Sequence, residues 1–532
     1  MHLTRLARGL GILAAVTVAG CKSLDIQNPN APDARRALSD PAALEAVASG
    51  SMKKWMNTWE GLVNTGPTDV LCTMANSCTA SWNNDNMRHY SDITGTSSDC
   101  PARCEWGNDP SNVTRGSIET YWYGYYSALS SANDVLKAIR QNHLVVTDAA
   151  TTKRTETVAQ LMQAASMAEI AINYDKGYIS FDSTDLTALV YSDRKAMRDA
   201  ALAKFDATIA LANANAFTTP AGWTNGTSYS NTQIARIANT MAARLLAYWP
   251  RSAAENAQVN WGRVISYASK GISTGGAFDF IFTGDGDCNT PSWCPYNLTW
   301  FDDMTSGRVH TRIAHMMDPA TQKDPFDSTG GGSPPPKSPD KRLGDGTFGN
   351  ADTQANNGTI PKDAGAGTDF AWSSQNVMRP SRGMYHQSNI AFTRWDCDGL
   401  DDANSIGYGF CPSPVLMASQ NDLIWAEALI RSGGDLNLAA TLINNTRVKR
   451  GGLAPATAGD GVAGLTAKLI YEQEVELFAL GATSYYNNRR YDSLYLGTPA
   501  EMPVPAKELG VFGQPLYTFG GAANPRQSPT PP

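Results

Sequence analysis

The chain has 532 residues, of which 17% are charged, and its 43 basic and 50 acidic residues give a formal net charge of −7. A mildly acidic surface repels phosphate backbones, and the sequence has no basic stripe of the kind that nucleic-acid binders carry, so DNA and RNA are excluded as partners. At about 100 to 200 residues per domain the length suggests several domains, although single helical assemblies can be longer.

The N-terminus is typical of a lipoprotein signal peptide. Arg5 and Arg8 form a charged region, Leu10–Val18 is a short apolar run, and small residues precede Cys21. The apolar run is shorter than the roughly 20 residues that span a bilayer. Cleavage before Cys21 would leave a lipidated cysteine, and Lys22 stands where an inner-membrane retention signal usually has Asp. We therefore expect a lipid anchor in the outer membrane; the alternative is an ordinary secretory signal with a chance cysteine.

Amphipathic helices follow one another in the first half of the mature chain. Asp40 can cap a helix whose first position is Pro41. Consecutive amphipathic helices without strand alternation between them indicate stacked helix pairs of tetratricopeptide type. Further helical patterns occupy residues 118–139, 158–178, 195–214, 233–248 and 261–272.

Two long stretches lack helical periodicity. Residues 63–113 and 275–412 are rich in Gly, Asp, Asn, Pro and aromatic residues, and the second contains the flexible segment Gly330–Pro336. Stretches of this length inside a compact protein are usually functional loops. We predict that they are functional, loop-rich insertions.

The cysteines besides Cys21 fall into local pairs, and short loops closed by disulfides indicate an oxidising compartment. Eight cysteines allow many pairings, so the preference for neighbours rests on the short spacing. A zinc site is less favoured because no C-x-x-C pair or H-E-x-x-H helix is present. The predicted disulfides are Cys72–Cys78, Cys100–Cys104, Cys288–Cys294 and Cys397–Cys411.

Helical pattern returns after residue 412. Ser419 begins a capping-box pattern for one helix, a second is predicted for Asp435–Arg450 and a third for Leu465–Leu480. The tail after Phe519 is rich in Gly, Pro and Ser and is predicted to be disordered. The chain is thereby divided into a signal peptide (1–20), a tether (21–40), a helical domain with two loop-rich insertions (41–519) and a tail (520–532).

Several motifs in this order resemble the SusD/RagB family of nutrient-uptake lipoproteins. Each motif alone is weak, but their order and spacing make the resemblance strong. Tyr121–Leu136 is similar to the family's aromatic helix with an Ala-Asn pair, and Leu423–Ala428 is similar to part of its C-terminal helical hairpin. Leu24–Asn30 with Leu38–Pro41 resembles the entry segment, and Pro503–Leu509 resembles the closing segment.

Two runs depart from the family pattern. Glu472–Leu477 lacks the usual Glu-Arg before Glu-Leu. Leu480–Tyr486 replaces the usual Glu-Gly-x-Arg-x-x-Asp, although Arg489 and Arg490 persist. These departures put a buried ion-pair network in doubt and mark the chain as a divergent member.

The resemblance implies a mainly α fold, in which four tetratricopeptide-like helical pairs form a scaffold for a loop-rich ligand face. It also implies a surface-exposed lipoprotein on the cell exterior that captures a glycan or other oligomeric nutrient, an oligosaccharide or a peptide. Such a protein acts as a hinged lid over a SusC-like TonB-dependent outer-membrane barrel. The second hypothesis is a structural surface lipoprotein that uses its helical repeats to scaffold other proteins.

Catalysis has no positive support in the sequence. A glycosidase needs two carboxylates about 5 to 10 Å apart in a cleft. Glu472 and Glu476 share one helical face, but a solvated or ion-paired helix surface explains them better. No G-x-S-x-G elbow is present, and the spacing of His310 and His315 does not align metal ligands on a helix, so we interpret them as polar loop residues. We expect neither enzyme activity nor a required cofactor.

Aromatic side chains in the two loop regions are candidates for ligand contact. Flat aromatic faces stack on sugar rings, and Asn and Arg can satisfy sugar hydroxyls. The alternative is that these aromatic residues pin the loops to the scaffold. The candidates are Trp82, Asn84 and Arg88 in the first loop region and Trp293, Trp300, Trp372, Tyr385 and Trp395 in the second.

An acidic run in the second loop region could bind calcium, which takes about 6 to 8 oxygen ligands. Asp396, Asp398 and Asp401 lie beside a glycine turn and could supply several of these oxygens. Their order departs from that of an EF-hand, so the alternative is a solvated acidic loop.

Overall fold

The structure of the chain, a computed structural model, describes most of the predicted helical domain. The predicted signal peptide, Cys21 and residues 522–532 lie outside the described part. The described residues are 40–61, 67–80, 90, 103–274, 278–286, 293–295, 297–298, 307–324, 334–343, 368–372, 387–395 and 409–521.

Helices dominate these ranges, which confirms the mainly α prediction. No described helix is long and apolar enough to cross a membrane. The helices are α1 (Pro41–Glu60), α2 (Pro67–Met74), α3 (Gly116–Arg140), α4 (Ala149–Asn173), α5 (Arg194–Ala214), α6 (Asn231–Tyr248), α7 (Ala253–Ala257), α8 (Trp261–Ala268), α9 (Thr311–Met317), α10 (Ala418–Arg431), α11 (Leu436–Arg447), α12 (Gly461–Val475), α13 (Thr483–Arg490) and α14 (Ala506–Val511).

The long helices pack as successive pairs, α1 with α3, α4 with α5, α6 with α8, and α10 with α11. Helices α1, α4, α6 and α10 also contact one another in series and form an inner row, while α3, α5, α8 and α11 form an outer row. Every residue of α4 from Thr155 to Asn173 is buried, as expected for an inner helix. The predicted tetratricopeptide-like pairs are therefore confirmed.

Several helix starts follow from their capping residues. The Asp40 side chain accepts a hydrogen bond from the Ala42 backbone N–H at 3.0 Å, with Pro41 in the first turn, as predicted. Ser230 and Gln233 form a capping box at α6. These local contacts satisfy N–H groups that the helix itself leaves free.

The predicted capping box at Ser419 is wrong. Helix α10 begins at Ala418, and its N-cap, Met417, makes no side-chain capping bond. The Ala418 N–H instead donates to Asp279 Oδ1 at 2.7 Å. A carboxylate from a distant segment thus supplies the cap, and no local pattern could reveal it.

The first predicted loop region contains regular structure that the sequence analysis missed. Helix α2 is buried at every position, and the strand Cys78–Ala80 follows it. This strand pairs antiparallel with Gly307–Val309, so its partner lies in the second loop region. A helix of 8 residues is too short to show clear periodicity, and the strand is stabilised by a remote partner.

Short antiparallel strand pairs occupy the remaining described segments. The strands are β1 (Cys78–Ala80), β2 (Lys176–Tyr178), β3 (Tyr191–Asp193), β4 (Phe280–Thr283), β5 (Gly307–Val309), β6 (Phe370–Trp372), β7 (Ile390–Phe392) and β8 (Pro412–Leu416). They pair as β1–β5, β2–β3, β4–β8 and β6–β7. Strand β2 lies inside the predicted helix 158–178, because α4 ends at Asn173 and the chain turns to pair with β3.

The buried apolar residues form two clusters. The larger one fills the helical pairs, and the smaller one includes Val309, Ile313, Phe370 and Phe392, packed beside Phe478. The described segments that build the smaller cluster and its surroundings are called the loop-rich layer below. The loop-rich layer comprises residues 278–286, 293–298 without 296, 307–324, 334–343, 368–372 and 387–395.

Candidate ligand-binding site

Buried ion pairs fix the loop-rich layer to α12. Arg342, in segment 334–343, has no exposed side-chain surface. Its guanidinium donates to Asp340 Oδ2 at 2.8 Å and to Glu472 Oε2 at 2.8 Å. The Tyr471 hydroxyl donates to Asp340 Oδ2 at 2.7 Å. Because Tyr471 and Glu472 lie on α12, these bonds tie a loop directly to the helical scaffold.

A second carboxylate, directly after α12, contacts three arginines. Glu476 accepts from Arg450 Nε at 2.8 Å, from Arg394 Nη1 at 3.1 Å and from Arg342 Nη1 at 3.3 Å. Arg450 also donates to Asp369 Oδ1 at 2.6 Å. Burial raises the pKa of Glu476, but the arginines outweigh burial and hold this pKa below its usual range.

These side chains act as one unit, called the anchoring network below. It joins three segments of the loop-rich layer to α11, α12 and the turns that follow them. The ion-paired interpretation of Glu472 and Glu476 is confirmed, but both side chains are buried and not solvated. The anchoring network consists of the carboxylates Asp340, Asp369, Glu472 and Glu476 and the guanidiniums Arg342, Arg394, Arg447 and Arg450, so its formal charges balance.

A further buried ion pair lies in the region where departures from the family pattern put such a network in doubt. Arg490 Nη1 donates to Glu427 Oε1 at 2.5 Å, and Arg431 Nε donates to the same oxygen at 2.6 Å. Burial raises the pKa of Glu427, but Arg490 and Arg431 lower it to about 2. A buried ion-pair network is therefore present despite the departures from the family pattern. Arg490 on α13 pairs with a carboxylate on α10, 63 residues away.

One buried carboxylate at the edge of the loop-rich layer has no cationic partner among the described residues. Glu60, at the end of α1, is 1% exposed and accepts from Ser413 Oγ at 2.7 Å and from the Asn297 N–H at 3.2 Å. Within the described ranges no Lys, Arg or His forms an ion pair with it. Burial raises the pKa of Glu60 to about 7, against the lowering effect of Ser413 and Asn297.

Most of the predicted ligand and metal residues lie outside the described part of the chain. These positions stay predictions, and so does the lipidation of Cys21. The candidates that lie outside the described residues are Trp82, Asn84, Arg88, Trp300 and Tyr385 for the ligand, and Asp396, Asp398 and Asp401 for calcium.

Trp293 is the most buried of the candidates that the structure describes. Its side chain is 8% exposed and joins the larger apolar cluster, with its ring centroid 5.7 Å from that of Phe282. Its backbone N–H donates to Asp285 Oδ2 at 3.0 Å, and Lys53 Nζ lies 5.3 Å from its ring centroid. These contacts favour the alternative in which Trp293 pins its loop to the scaffold.

Trp372 and Trp395 lie closer to the surface. Trp372 ends β6, is half-buried, and packs against the smaller apolar cluster. Trp395 is also half-buried, packs against both clusters, and has the Arg394 guanidinium 4.7 Å from its ring centroid. Trp372 and Trp395 therefore both pack against the smaller cluster, and Trp395 also packs against the larger cluster, to which Trp293 belongs.

The disulfide Cys72–Cys78 is confirmed, with the two Cα atoms 5.5 Å apart. It is not a surface staple, because Cys72 lies in α2 and both cysteines are buried. Cys104, Cys294 and Cys411 are also disulfide-bonded. Their partners are not among the described residues, so the other three pairings stay predictions.

The two histidines have structural positions that contradict their interpretation as loop residues. His310 is 3% exposed and caps α9, with its Nδ1 accepting from the Arg312 N–H at 3.0 Å. His315 lies within α9, and its Nδ1 is 2.7 Å from the Gln322 carbonyl oxygen. Among the residues that the structure describes, no three His, Cys, Asp or Glu side chains are grouped to hold a metal ion.

Two open grooves on the helical pairs escaped the sequence analysis. One, of about 470 Å³, lies between α3 and segment 178–189, but its aromatic rings cover one another. Tyr178 stacks on Tyr191 with centroids 4.7 Å apart, and Lys204 Nζ lies 3.9 Å from the Phe181 centroid. The other, of about 650 Å³, lies among α5, α6 and α8. Polar residues at helical spacing on the lining helices are the signal that could have revealed both grooves.

Comparison with known proteins gives a fold and no close relative. No family model matches the sequence, and no curated protein matches it. A SusD-like carbohydrate-binding protein of Bacteroides fragilis superposes with a TM-score of 0.56 at 12% identity, covering 87% of this chain and 90% of that one.

Two further structures agree with this result. A SusD homologue of Bacteroides thetaiotaomicron gives a TM-score of 0.56 at 12% identity, covering 87% of this chain and 89% of that one. A SusD superfamily protein of Bacteroides vulgatus gives 0.52 at 13% identity, covering 86% and 89%. The chain therefore has the SusD fold, as the order of its motifs implied.

Proposed function

We propose that this chain is a SusD/RagB-family lipoprotein that captures a glycan at the outer-membrane surface and delivers it to a SusC-like TonB-dependent barrel. The observation that carries the proposal is the shared fold, which extends over most of both chains to a SusD-like carbohydrate-binding protein. The predicted lipobox at Cys21 supports the location. The protein would act by binding and not by catalysis.

We place the ligand at the two loop regions predicted from the sequence, residues 63–113 and 275–412, the second of which contains the loop-rich layer. Trp82, Asn84, Arg88 and Trp300 would provide stacking faces and hydrogen-bonding groups for sugar rings. The anchoring network would hold the surrounding loops in position before the ligand arrives, which lowers the ordering cost of binding. Trp372 would contribute its exposed edge.

The buried carboxylates support binding without hydrolysis. Glycoside hydrolysis needs one carboxylic acid and one carboxylate facing an open cleft. Glu472 and Glu476 have no exposed side-chain surface and are both paired with arginines. A sugar could not reach them, so they cannot serve as an acid and base pair.

The ligand test compares two tryptophans. Replacing Trp82 with Ala should weaken binding of the glycan by about 1 to 3 kcal/mol, the scale of a lost aromatic contact, with little change in stability. Titration calorimetry against a panel of soluble neutral oligosaccharides measures the affinity, and thermal unfolding measures the stability.

Trp223 is the matched control, because it is 6% exposed and lies among the helical pairs. Trp223→Ala should cost about 3 to 5 kcal/mol of stability and leave the affinity unchanged. Trp293→Ala should behave like Trp223→Ala. If the protein bound peptides but none of the oligosaccharides, the glycan proposal would be contradicted. If it bound neither peptides nor oligosaccharides, the scaffold hypothesis would be favoured.

The anchor and the partner are tested together by fractionation. Cys21→Ala should leave a folded protein that is lost from the outer-membrane fraction, because only the lipid would hold the chain there. The unchanged protein should copurify with a barrel transporter from gently solubilised membranes. Retention of the Cys21→Ala protein in membranes that lack the transporter would disprove the lipobox.

A further inference from the structure

The groove among α5, α6 and α8 has a lining that is periodic in the sequence. Helix α5 contributes Asp206, Ile209 and Asn213, at spacings that place them on one face of a helix. With a volume of about 650 Å³ the groove is in the size range of small-molecule sites. The remaining lining residues are Thr232, Ala235, Arg236 and Asn239 from α6, and Arg263, Ser266, Tyr267 and Lys270 from α8 and the turn after it.

The groove is electropositive on a chain that is acidic overall. Arg263 Nη2 lies 3.6 Å from Asp206 Oδ2, and the Tyr267 hydroxyl donates to Asp206 Oδ1 at 2.7 Å, so the one lining carboxylate is already engaged. Arg236 and Lys270 are exposed, and neither forms an ion pair with any described residue. Two uncompensated cations therefore face the groove.

The other lining groups match a sugar ring. Asn213, Thr232 and Ser266 are exposed amides and hydroxyls that can exchange hydrogen bonds with ring hydroxyls. Ile209, which is half-buried, supplies carbon surface for the apolar face of a ring, whereas Ala235 is 5% exposed and adds little.

We propose that this groove binds an acidic saccharide, a uronate-bearing di- or trisaccharide whose carboxylate lies between Arg236 and Lys270. Charge-assisted hydrogen bonds from the two cations would select the carboxylate, and the polar side chains would hold the ring. The site lies where α6 meets α5 and α8, and none of its lining residues belongs to the loop-rich layer. It is a second site, independent of the glycan site proposed there.

The test uses the full mature chain and digalacturonate, with its dimethyl ester as a neutral ligand of the same ring number. Digalacturonate should bind at least about tenfold more tightly than the ester. Its affinity should fall as salt rises from low to physiological ionic strength, since exposed charges are screened.

The double variant Arg236→Ala with Lys270→Ala should lose at least about tenfold in affinity for digalacturonate and keep its melting temperature. Lys195→Ala with Lys449→Ala removes the same charge at exposed positions outside the groove lining and should change neither. Binding at the loop-rich layer is monitored in the same variants with a neutral oligosaccharide, so failure of one site does not imply failure of the other.

Three results would overturn the proposal. Equal affinity for digalacturonate and its ester would show that the two cations do not select for a carboxylate. Equal loss in both double variants would show that only net charge matters. Equal or tighter binding of a diglutamate peptide would show that the groove recognises acidic peptides and not sugars.

Discussion

The helical pairs and the loop-rich layer are held together by different forces. The pairs bury long apolar faces against one another, and their helix ends are capped by neighbouring side chains. The loop-rich layer has short strands, the short helix α9 and a small apolar cluster, and a charge-balanced network fixes it to α12. The comparison shows that segments too irregular to build a large core can still be fixed in place by buried ion pairs.

The two kinds of contact differ in how much stability is lost when one partner is removed. A buried ion pair contributes little net stability compared with an apolar pair, because both charges must be desolvated. Removing one partner is costly, since the other charge stays buried without compensation. Loss of a capping contact among the helices is smaller and more local.

Arg342→Met should therefore give the largest loss. It leaves Asp340 and Glu472 without their shared cation, at a cost of about 3 to 5 kcal/mol in the free energy of unfolding. Urea unfolding measures the loss, and limited proteolysis should cut first within the loop-rich layer. The double variant Arg342→Met with Glu472→Leu should recover part of the loss. An unchanged unfolding midpoint for the single variant would refute the role of the network.

Glu60 sharpens the comparison because it joins α1 to the loop-rich layer with no cationic partner among the described residues. Its pKa rises from 4.5 to about 7 on folding, so between these values the folded chain holds a proton that the unfolded chain has released. Stability should therefore fall as pH rises from about 4.5 to about 7. Glu60→Gln should remove this fall and be more stable than the unchanged protein above pH 7, by about 3 kcal/mol.

Urea unfolding of both proteins at pH 4.5 and pH 8 measures this effect. Glu105→Gln, the same substitution at an exposed position, is the control. If Glu60→Gln were destabilising to the same degree at both pH values, the carboxylate would be ionised throughout, and the burial argument would fail.

A cap within the helical pairs should give the smallest effect. Asp435 accepts from the Asn437 and Leu438 N–H groups at 2.8 and 3.2 Å at the start of α11. Asp435→Ala should lower the free energy of unfolding by about 1 kcal/mol, and Asp435→Asn, which retains a capping oxygen, should lower it less. Thermal unfolding checks the order. A loss as large as that of Arg342→Met would mean that the two regions do not differ as described.

The sequence predicted the helical pairs well because helices depend on neighbours in the chain. Apolar residues recur at helical spacing from α3 to α8, and Asp40 with Pro41 marks the start of α1. The order of weak motifs was enough to identify the SusD fold. The ligand candidates could be proposed only as residue types in loops, because a local sequence pattern does not specify stacking geometry.

The tertiary structure alone decided where charges and aromatic rings are buried. Arg342 meets Glu472 across 130 residues, Asp279 caps a helix that begins at Ala418, and Trp293 packs on Phe282 inside the core. Burial and electrostatic pairing depend on segments far apart in the chain. A local sequence pattern does not indicate which distant segment will pack against a given residue. The sequence therefore determined the helical scaffold. The packing of the loop-rich layer against α12 determined which of its side chains are buried and which are exposed.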